Sequence, residues 1–361
     1  MNEIALEVLN KINSFGYKAY IVGGYPRDIY LGRNTIDIDI CTNAIPKQLK
    51  DIFKESILNK QEYGSVTLIY EKITFEITTF RKEIKYQDNR FPVKIKYIDS
   101  LIDDLERRDF TINTLCIDGN GHVIDLLNAK RDIDNKIIRC VGNTKKKIKE
   151  DILRSLRAIR FATILDFKLD DELKKVIKKN GYLLKKLSYY RKKEELEKIF
   201  ASPNCRYGLD LILELKLEDK LELSNLKNLV ITTSSLGIWA QLDVLDIYNF
   251  SSHEREIING ISQALKEEFN NHTLYKYGLY ICTLVGEIKK IDRSLIVKKY
   301  NELPIFSVKD IRISATEICS LLNKKPGSFI KDIYTDLENK ILDNVLKNDY
   351  DQLCEYVKQN Y

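Results

Sequence analysis

Residues 19–41 read AYIVGGYPRDIYLGRNTIDIDIC, and the punctuation of that stretch decides the fold. Ala19 to Val22 is a short apolar run of strand type, broken by Gly23 and Gly24. Pro26 opens a helix that reaches Leu31, and Gly32 stops it. Thr35 to Cys41 alternates polar and apolar residues, the period of a strand. Side chains two apart on a strand point the same way, so Asp37 and Asp39 share one face while the isoleucines turn to the core. Two carboxylates on one face repel unless a cation lies between them. Mg²⁺ suits such a place, because it takes oxygen ligands and keeps positions open for phosphate. Two such ions can activate a hydroxyl and stabilise a departing pyrophosphate. Gly23 and Gly24 let backbone approach a phosphate closely, the helix behind them offers its N-terminus to an anion, and Arg27 adds a fixed cation beside Asp28. Alone, an Asp-x-Asp is usually an exposed strand face. Its position after strand, double glycine and helix makes it specific.

Outward from this stretch the first third of the chain reads as mixed α and β. Ile4 to Phe15 carries apolar residues at helical spacing (Ile4, Val8, Ile12, Phe15), and Gly16 ends it. Ile45 to Phe53 is a second amphipathic helix. Val66 to Tyr70 and Phe75 to Phe80 read as paired strands across a turn near Glu71-Lys72. Lys82 to Pro92 is charged and reads as an irregular loop, followed by a short strand over Lys94 to Ile98. Phe110 to Ile117 and His122 to Asp125 flank a turn at 118–121. From Thr144 onward the period is helical and Gly and Pro are few. The expected class is α+β: a small N-terminal mixed-sheet head followed by an elongated all-α remainder.

Bulk composition narrows the function classes. The 361 residues suffice for two or three domains. No run approaches the roughly eighteen apolar residues of a membrane span, and the acidic, amphipathic Met1 to Asn10 does not read as a signal peptide. Seven scattered cysteines without a Cys-x-x-Cys pair point to a reducing compartment, hence a cytoplasmic protein. Only His122, His253 and His272 are present, which argues against a histidine-rich metal hydrolase. Net charge is +6, but residues 139–198 hold 19 Lys and Arg against 9 Asp and Glu, an excess of +10, leaving −4 for the rest. A basic middle between more acidic ends fits a polyanion bound at one place; a solvated helical face is the plainer alternative.

Two further constellations carry chemistry. Arg107-Arg108-Asp109-Phe110-Thr111-Ile112-Asn113 joins cations that can neutralise a triphosphate to an aspartate that can accept from a ribose hydroxyl. A surface salt bridge before a strand would use the same residues. Glu150-Asp151-Ile152-Leu153-Arg154-Ser155-Leu156-Arg157-Ala158-Ile159-Arg160-Phe161 reads as helix, with Asp151 and Arg154 as i,i+3 neighbours and Arg157 and Arg160 continuing the stripe. Cytosine and adenine each present an amine donor beside a ring-nitrogen acceptor. A carboxylate and a guanidinium match that pattern, whereas uracil and guanine reverse it, leaving buried groups unpaired at about 1–3 kcal/mol each. A helical salt bridge is again the bland alternative. Glu76, on the strand 75–80, is a candidate third carboxylate or an ordinary polar-face residue.

Taken together these motifs resemble the nucleotidyltransferase superfamily, and nearly end to end the class II CCA-adding tRNA nucleotidyltransferases and bacterial poly(A) polymerases. The resemblance implies a catalytic head over 1–138, a base-reading neck over 139–202 and a tRNA-binding body and tail over 203–361. It implies Asp37 and Asp39 as metal ligands, with Glu76 as third catalytic carboxylate. Gly23, Gly24, Arg27, Asp28, Arg108, Asp109, Asn113, Asp151, Arg154, Arg157 and Arg160 become nucleotide-binding residues. Within that set Asp109 reads the sugar and the pair Asp151 and Arg154 reads the base. The implied reaction adds C, C and A to tRNA from CTP and ATP, with Mg²⁺, gripping acceptor stem and elbow and needing no membrane or obligatory protein partner. Asp134 to Gly142, with Ile138-Arg139-Cys140-Val141-Gly142, resembles the family's hinge. Arg81 to Tyr97, with Tyr86, Arg90 and Pro92, resembles the loop that full CCA addition uses. Ser188 to Phe200 resembles the helix that buttresses the base reader, departing from it at Tyr190 and Lys192 while Arg191 and Glu195 fit. Addition of A alone or CC alone, poly(A) synthesis and a non-catalytic RNA-binding protein stay open as alternatives.

Overall fold

The computed structural model describes residues 2–54, 57–58, 64–87 and 91–361. These form two compact units, Met1–Glu222 and Leu223–Tyr361. The first opens with α1 (Glu3–Ser14), whose N-terminus is capped by the Asn2 side chain and which buries Ala5, Val8, Leu9 and Ile12. Phe15 falls beyond that face and is 58% exposed. Then come β1 (Ala19–Val22), α2 (Gly24–Tyr30), β2 (Ile38–Thr42), α3 (Pro46–Phe53), β3 (Ile57–Leu58), β4 (Ser65–Tyr70) and β5 (Ile73–Thr79). β6 (Arg81–Gln87) and β7 (Phe91–Tyr97) precede α4 (Leu101–Glu106), β8 (Cys116–Ile117), β9 (Val123–Ile124), α5 (Ala129–Asp134) and β10 (Ile137–Ile138). The rest of the unit is helical around α6 (Thr144–Glu150), α7 (Leu153–Leu165), β11 (Lys168–Leu169), α8 (Asp171–Asn180), α9 (Tyr189–Phe200), α10 (Cys205–Glu214) and α11 (Glu218–Leu221).

The described strands make a seven-stranded sheet in the order β3-β4-β5-β2-β1-β8-β9. β2 and β5 are parallel, and β1 with β2 and β4 with β5 are antiparallel, so the sheet is mixed as expected. The turn between β4 and β5 falls at Glu71 and Lys72, both at positive φ. Ile38 and Ile40 face one core with Ile21, Phe75 and Ile77, packed against α1 and α3. Cys41 faces the opposite side, clustered with Val22, Phe80, Leu105 and Cys116. By the two-residue period of a strand, Asp39 lies on the Cys41 side, toward the arginines that follow α4.

Three sequence expectations change here. β2 begins at Ile38, so Asp37 precedes the strand, and Ile36 is 87% exposed instead of facing the core. The reason is that β1 ends before Gly23, at φ +86, and offers β2 no partner beyond the Val22–Asp39 pair. Residues 82–92 were expected to be irregular; β6 and β7 are an antiparallel hairpin with bulges near Glu83 and Lys85. Arg90 lies outside the described residues. Finally, α6 ends at Glu150 and α7 starts at Leu153, so Asp151 stands between two helices and not within one.

The second unit is helical; Asn271–Lys289 and Phe329–Leu342 are among the helices around Leu274, Ile296, Ile333, Leu337 and Leu353. Among the described residues no helix is long and apolar enough to cross a membrane. All seven cysteines are free.

Candidate active site

A cavity of about 620 Å³ opens in the first unit, a size suited to a nucleotide. Its wall is formed by Gly23, Gly24, Arg27, Asp39, Arg81, Arg107, Arg108, Asp109, Asn113, Asp151, Leu153, Arg154, Arg157, Arg160 and Phe161. The three motifs, far apart in sequence, therefore meet at one place. Of the predicted site residues only Asp28, Asp37 and Glu76 do not line it.

At the floor, Gly23 holds φ +86, and a Cβ there would stand 3.0 Å from Asp39 Oδ2. Glycine is needed at this position both for its backbone conformation and for the approach of the carboxylate. Glu76 is the register partner of Asp39 across β2 and β5, and accepts a hydrogen bond from Thr67 Oγ1 at 2.7 Å. Burial raises the pKa of Asp39 from its ordinary value; Arg108 opposes that shift, while the charges of Glu76 and Asp37 add to it. The donor set is all oxygen and mutually repelling, which fits a hard divalent cation. Among the described residues no three Asp, Glu, His or Cys side chains are already gathered to ligand reach, so Asp37, Asp39 and Glu76 are neighbours and not a finished three-ligand cluster.

The cationic wall is assembled from ion pairs, each anchored behind the cavity. Arg27 is 6% exposed; it donates to both carboxylate oxygens of Asp28 at 2.9 Å and to Asn113 Oδ1 at 2.6 Å. Asp28 is thus the anchor of Arg27, one layer out from the cavity. Asp104 is fully buried on α4 and receives Arg107 Nε at 2.8 Å, Arg108 Nη2 at 3.3 Å and the backbone N–H of Arg81 at 3.2 Å. Arg160 pairs with Glu195 of α9 at 3.1 Å. Arg154 donates to the Lys147 carbonyl at 2.8 Å and to Glu150 at 3.4 Å.

Asp109 accepts from four donors. Its Oδ1 accepts from the Phe110 N–H at 2.8 Å and from Asn113 Nδ2 at 3.2 Å. Its Oδ2 accepts from Arg157 Nε at 2.7 Å and Nη2 at 2.6 Å. Burial alone would raise its pKa; Arg157 and the bonds from Asn113 and Phe110 overcome that and bring it down to about 2. The backbone ties this loop to the segment before α6: Val141 N–H donates to the Asp109 carbonyl, and Thr111 N–H to the Arg139 carbonyl.

Asp151 has extended backbone, φ −145° and ψ 103°, and its Oδ1 accepts from the Leu153 N–H at 3.0 Å. It caps α7 in the manner of short polar residues at helix starts. Arg154 N–H donates in turn to the Asp151 carbonyl at 3.2 Å. The aspartate and the arginine still meet at the cavity, through a cap geometry that replaces the expected helical i,i+3 pair.

Sequence reading passed over Asp104 and used Phe161 only as an apolar residue. The signal for Asp104 was present: it lies three and four residues before Arg107 and Arg108, the spacing of helical ion pairs. For Phe161 the signal was only partly local: Arg157 lies four residues before it on α7, but Arg27 and Phe110 come from other segments. On α9, Tyr190 is 57% exposed, whereas Lys192 is 1% exposed with its ammonium 4.3 Å from the Tyr189 ring centroid.

Three family models match separate parts of the chain. A poly(A) polymerase head domain covers 19–139, a probable RNA- and SrmB-binding site of polymerase A covers 166–223, and a putative tRNA nucleotidyltransferase domain 2 covers 240–357. Among curated proteins, the CCA-adding enzyme of Ligilactobacillus salivarius is 33% identical over 98% of this chain and 96% of its own length. The CCA-adding enzyme of Bacillus subtilis is 31% identical over 98% and 97%. Among solved structures, the Bacillus stearothermophilus CCA-adding enzyme in complex with CTP has a TM-score of 0.83 at 24% identity, over 99% of this chain and 96% of that one. The Thermotoga maritima CCA-adding enzyme complexed with tRNA has a TM-score of 0.72 at 19% identity, over 98% and 93%. These last two likenesses establish a shared fold.

Proposed function

Since the chain belongs to the family of CCA-adding enzymes, we propose that it adds C, C and A to the 3′ end of tRNA from CTP and ATP, releasing pyrophosphate. The observation that carries this reading is the single cavity in which the glycine turn, Asp39, Asp109 and the Asp151 and Arg154 pair stand together. Asp37 and Asp39 would hold Mg²⁺, with Glu76 beside them, and when bound the ion supplies Lewis-acid activation of the primer hydroxyl and of the triphosphate. Arg27 and Arg108 hold the triphosphate and neutralise charge as the primer 3′-oxygen attacks the α-phosphorus in line and pyrophosphate leaves. Asp109 reads the ribose. All its acceptor directions are taken by protein donors, so a ribose hydroxyl must displace one of them, and an Arg157 N–H is the exposed choice. Asp151 and Arg154 admit cytosine and adenine by their donor and acceptor order. The functional regions follow the head at 1–138, the neck at 139–202 and the body and tail at 203–361, with neck and tail holding tRNA. The site of action is the cytoplasm.

The test uses purified protein, Mg²⁺ and three tRNAs: one lacking CCA, one ending in C and one ending in CC. Each is incubated with CTP, ATP, UTP, GTP or CTP with ATP, and products are sized at single-nucleotide resolution. All three are expected to grow to a common CCA end. Growth of only the CC-ended tRNA by one A identifies an A-adding enzyme, an arrest after CC a CC-adding one, and a ladder of A a poly(A) polymerase. Tight tRNA binding without growth would reject catalysis.

A further inference from the structure

Phe161 sits on α7 at the cavity wall, and three guanidinium groups gather over its ring. The Cζ atoms of Arg160, Arg157 and Arg27 lie 4.4, 5.4 and 5.4 Å from the ring centroid. The three come from two elements, α2 and α7. Each has a carboxylate anchor: Asp28 beside Arg27 on α2, Asp109 from the loop after α4 and Glu195 from α9. Phe110, directly after Asp109 and fully buried, sets its ring against Phe161 at 5.8 Å and 79°. Phe161 is thus touched by all three ion pairs and by the Asp109 loop.

Three like charges around one point repel. Burial lowers the pKa of Arg160, Glu195 opposes that, and the Arg157 and Arg27 cations lower it further. The three carboxylates offset part of this repulsion from behind, and an aliphatic residue of similar size would fill the space at the centre without adding to that. An aromatic ring does more, because the negative face of its quadrupole attracts cations, most strongly where water is excluded.

Resting on the reading of the cavity as the nucleotide site, we infer that Phe161 is a positioning residue. Its π face holds Arg27, Arg157 and Arg160 together in the arrangement that receives the incoming nucleotide. It touches no reacting atom and acts through the three arginines.

The experiment replaces Phe161 in the full-length protein by 4-fluoro-, 3,5-difluoro- and 3,4,5-trifluorophenylalanine, which keep shape and progressively empty the ring face. Phe161→Leu is prepared in parallel. KM for CTP and ATP, KM for tRNA, kcat and Tm are measured for each. The expected result is a stepwise rise in nucleotide KM with fluorine number, reaching about tenfold in Phe161→Leu, with tRNA KM and Tm nearly constant across the fluorinated series. Nucleotide KM that does not move with fluorination overturns the inference, and leaves Phe161 a space filler. Arg154→Ala separates this from the underlying reading. If that variant raises nucleotide KM while the fluorine series is flat, the cavity is the nucleotide site and only the role of Phe161 falls. If neither moves nucleotide KM, both fall.

Discussion

Asp109 shows how much of this site one carboxylate organises. Four donors converge on it, and its side chain is only 11% exposed. Its pKa is about 2 in the folded protein against an ordinary 3.8. A depressed carboxylate stabilises the fold above its unfolded pKa and loses that contribution as pH falls through the folded one. The amount is about 2 kcal/mol, from roughly 1.4 kcal/mol per pH unit. Urea unfolding at pH 5 and at pH 2.5 should therefore show a larger loss for the parent than for Asp109→Asn; equal losses would mean that Arg157 does not hold the carboxylate in solution. Gly23 makes a second residue-scale case. Gly23→Ala forces a Cβ to 3.0 Å from Asp39 Oδ2 at a backbone φ of +86. It should cost about 1–3 kcal/mol of stability, the scale of a side chain in a sparsely populated backbone region, read by the same denaturation. Nucleotide addition should fall further than that loss explains, because the displaced group is the carboxylate proposed to hold Mg²⁺. Both residues were legible because their motifs are local. Asp104 had a local signal too, which was passed over; the role of Phe161 was less legible, because Arg27 and Phe110 reach its ring from other segments.

Elements were readable where their pattern was strong and misread where one residue type carried the reading. β2 and β5 showed in their alternation, and α1 in its helical spacing. Residues 82–92, which hold β6 and the start of β7, were taken for a loop because of their charges, while 94–98 was read as strand. Yet residues 91–97 alternate as Phe, Pro, Val, Lys, Ile, Lys, Tyr, and Pro92 pairs with Tyr86 in a two-stranded ribbon. Each strand of such a ribbon has one open edge, the place where a strand tolerates proline. Asp151 was misplaced for the opposite reason: continuous helical periodicity from 144 to 165 concealed the break that its own side chain caps. The hairpin starts at Arg81, whose backbone N–H is held by Asp104, the anchor of Arg107 and Arg108. Its base is thus tied to the arginines of the cavity wall. Shortening 83–94 to a tight turn should leave the two C additions within a few-fold and slow A addition by roughly a hundredfold, the scale of a misplaced substrate. Single-turnover assays on tRNA ending in CC and on tRNA lacking CCA separate these; equal slowing of both would deny the hairpin a role in the last step.

At the scale of the molecule, charge is distributed more unevenly than composition suggests. The excess of +10 over residues 139–198 falls within the first compact unit, the unit that also holds the cavity. Several of these charges are already spent: Arg139 on Asp132 and Asp170, Arg154 on Glu150, Arg157 on Asp109 and Arg160 on Glu195. The exposed cations left for a polyanion are lysines, among them Lys145 and Lys149 of α6, Lys175, Lys178 and Lys179 of α8, and Lys185 and Lys186 in the turn after it, between Tyr182 and Tyr190. Each phosphate neutralised releases counterions, so binding to about four of them should raise the Kd for tRNA roughly a hundredfold between 50 and 200 mM salt. The double variant Lys185→Ala, Lys186→Ala should flatten the slope of log Kd against log salt by about one for each phosphate no longer neutralised. Nucleotide KM at fixed salt should stay within about twofold, since surface charges away from the cavity are screened beyond roughly 10 Å. A parental slope with weaker nucleotide binding would place these lysines at the cavity's field and not on the tRNA. A flattened slope with intact nucleotide KM would separate the two tasks of this unit: buried, carboxylate-anchored arginines select the nucleotide, and exposed lysines hold the RNA that receives it.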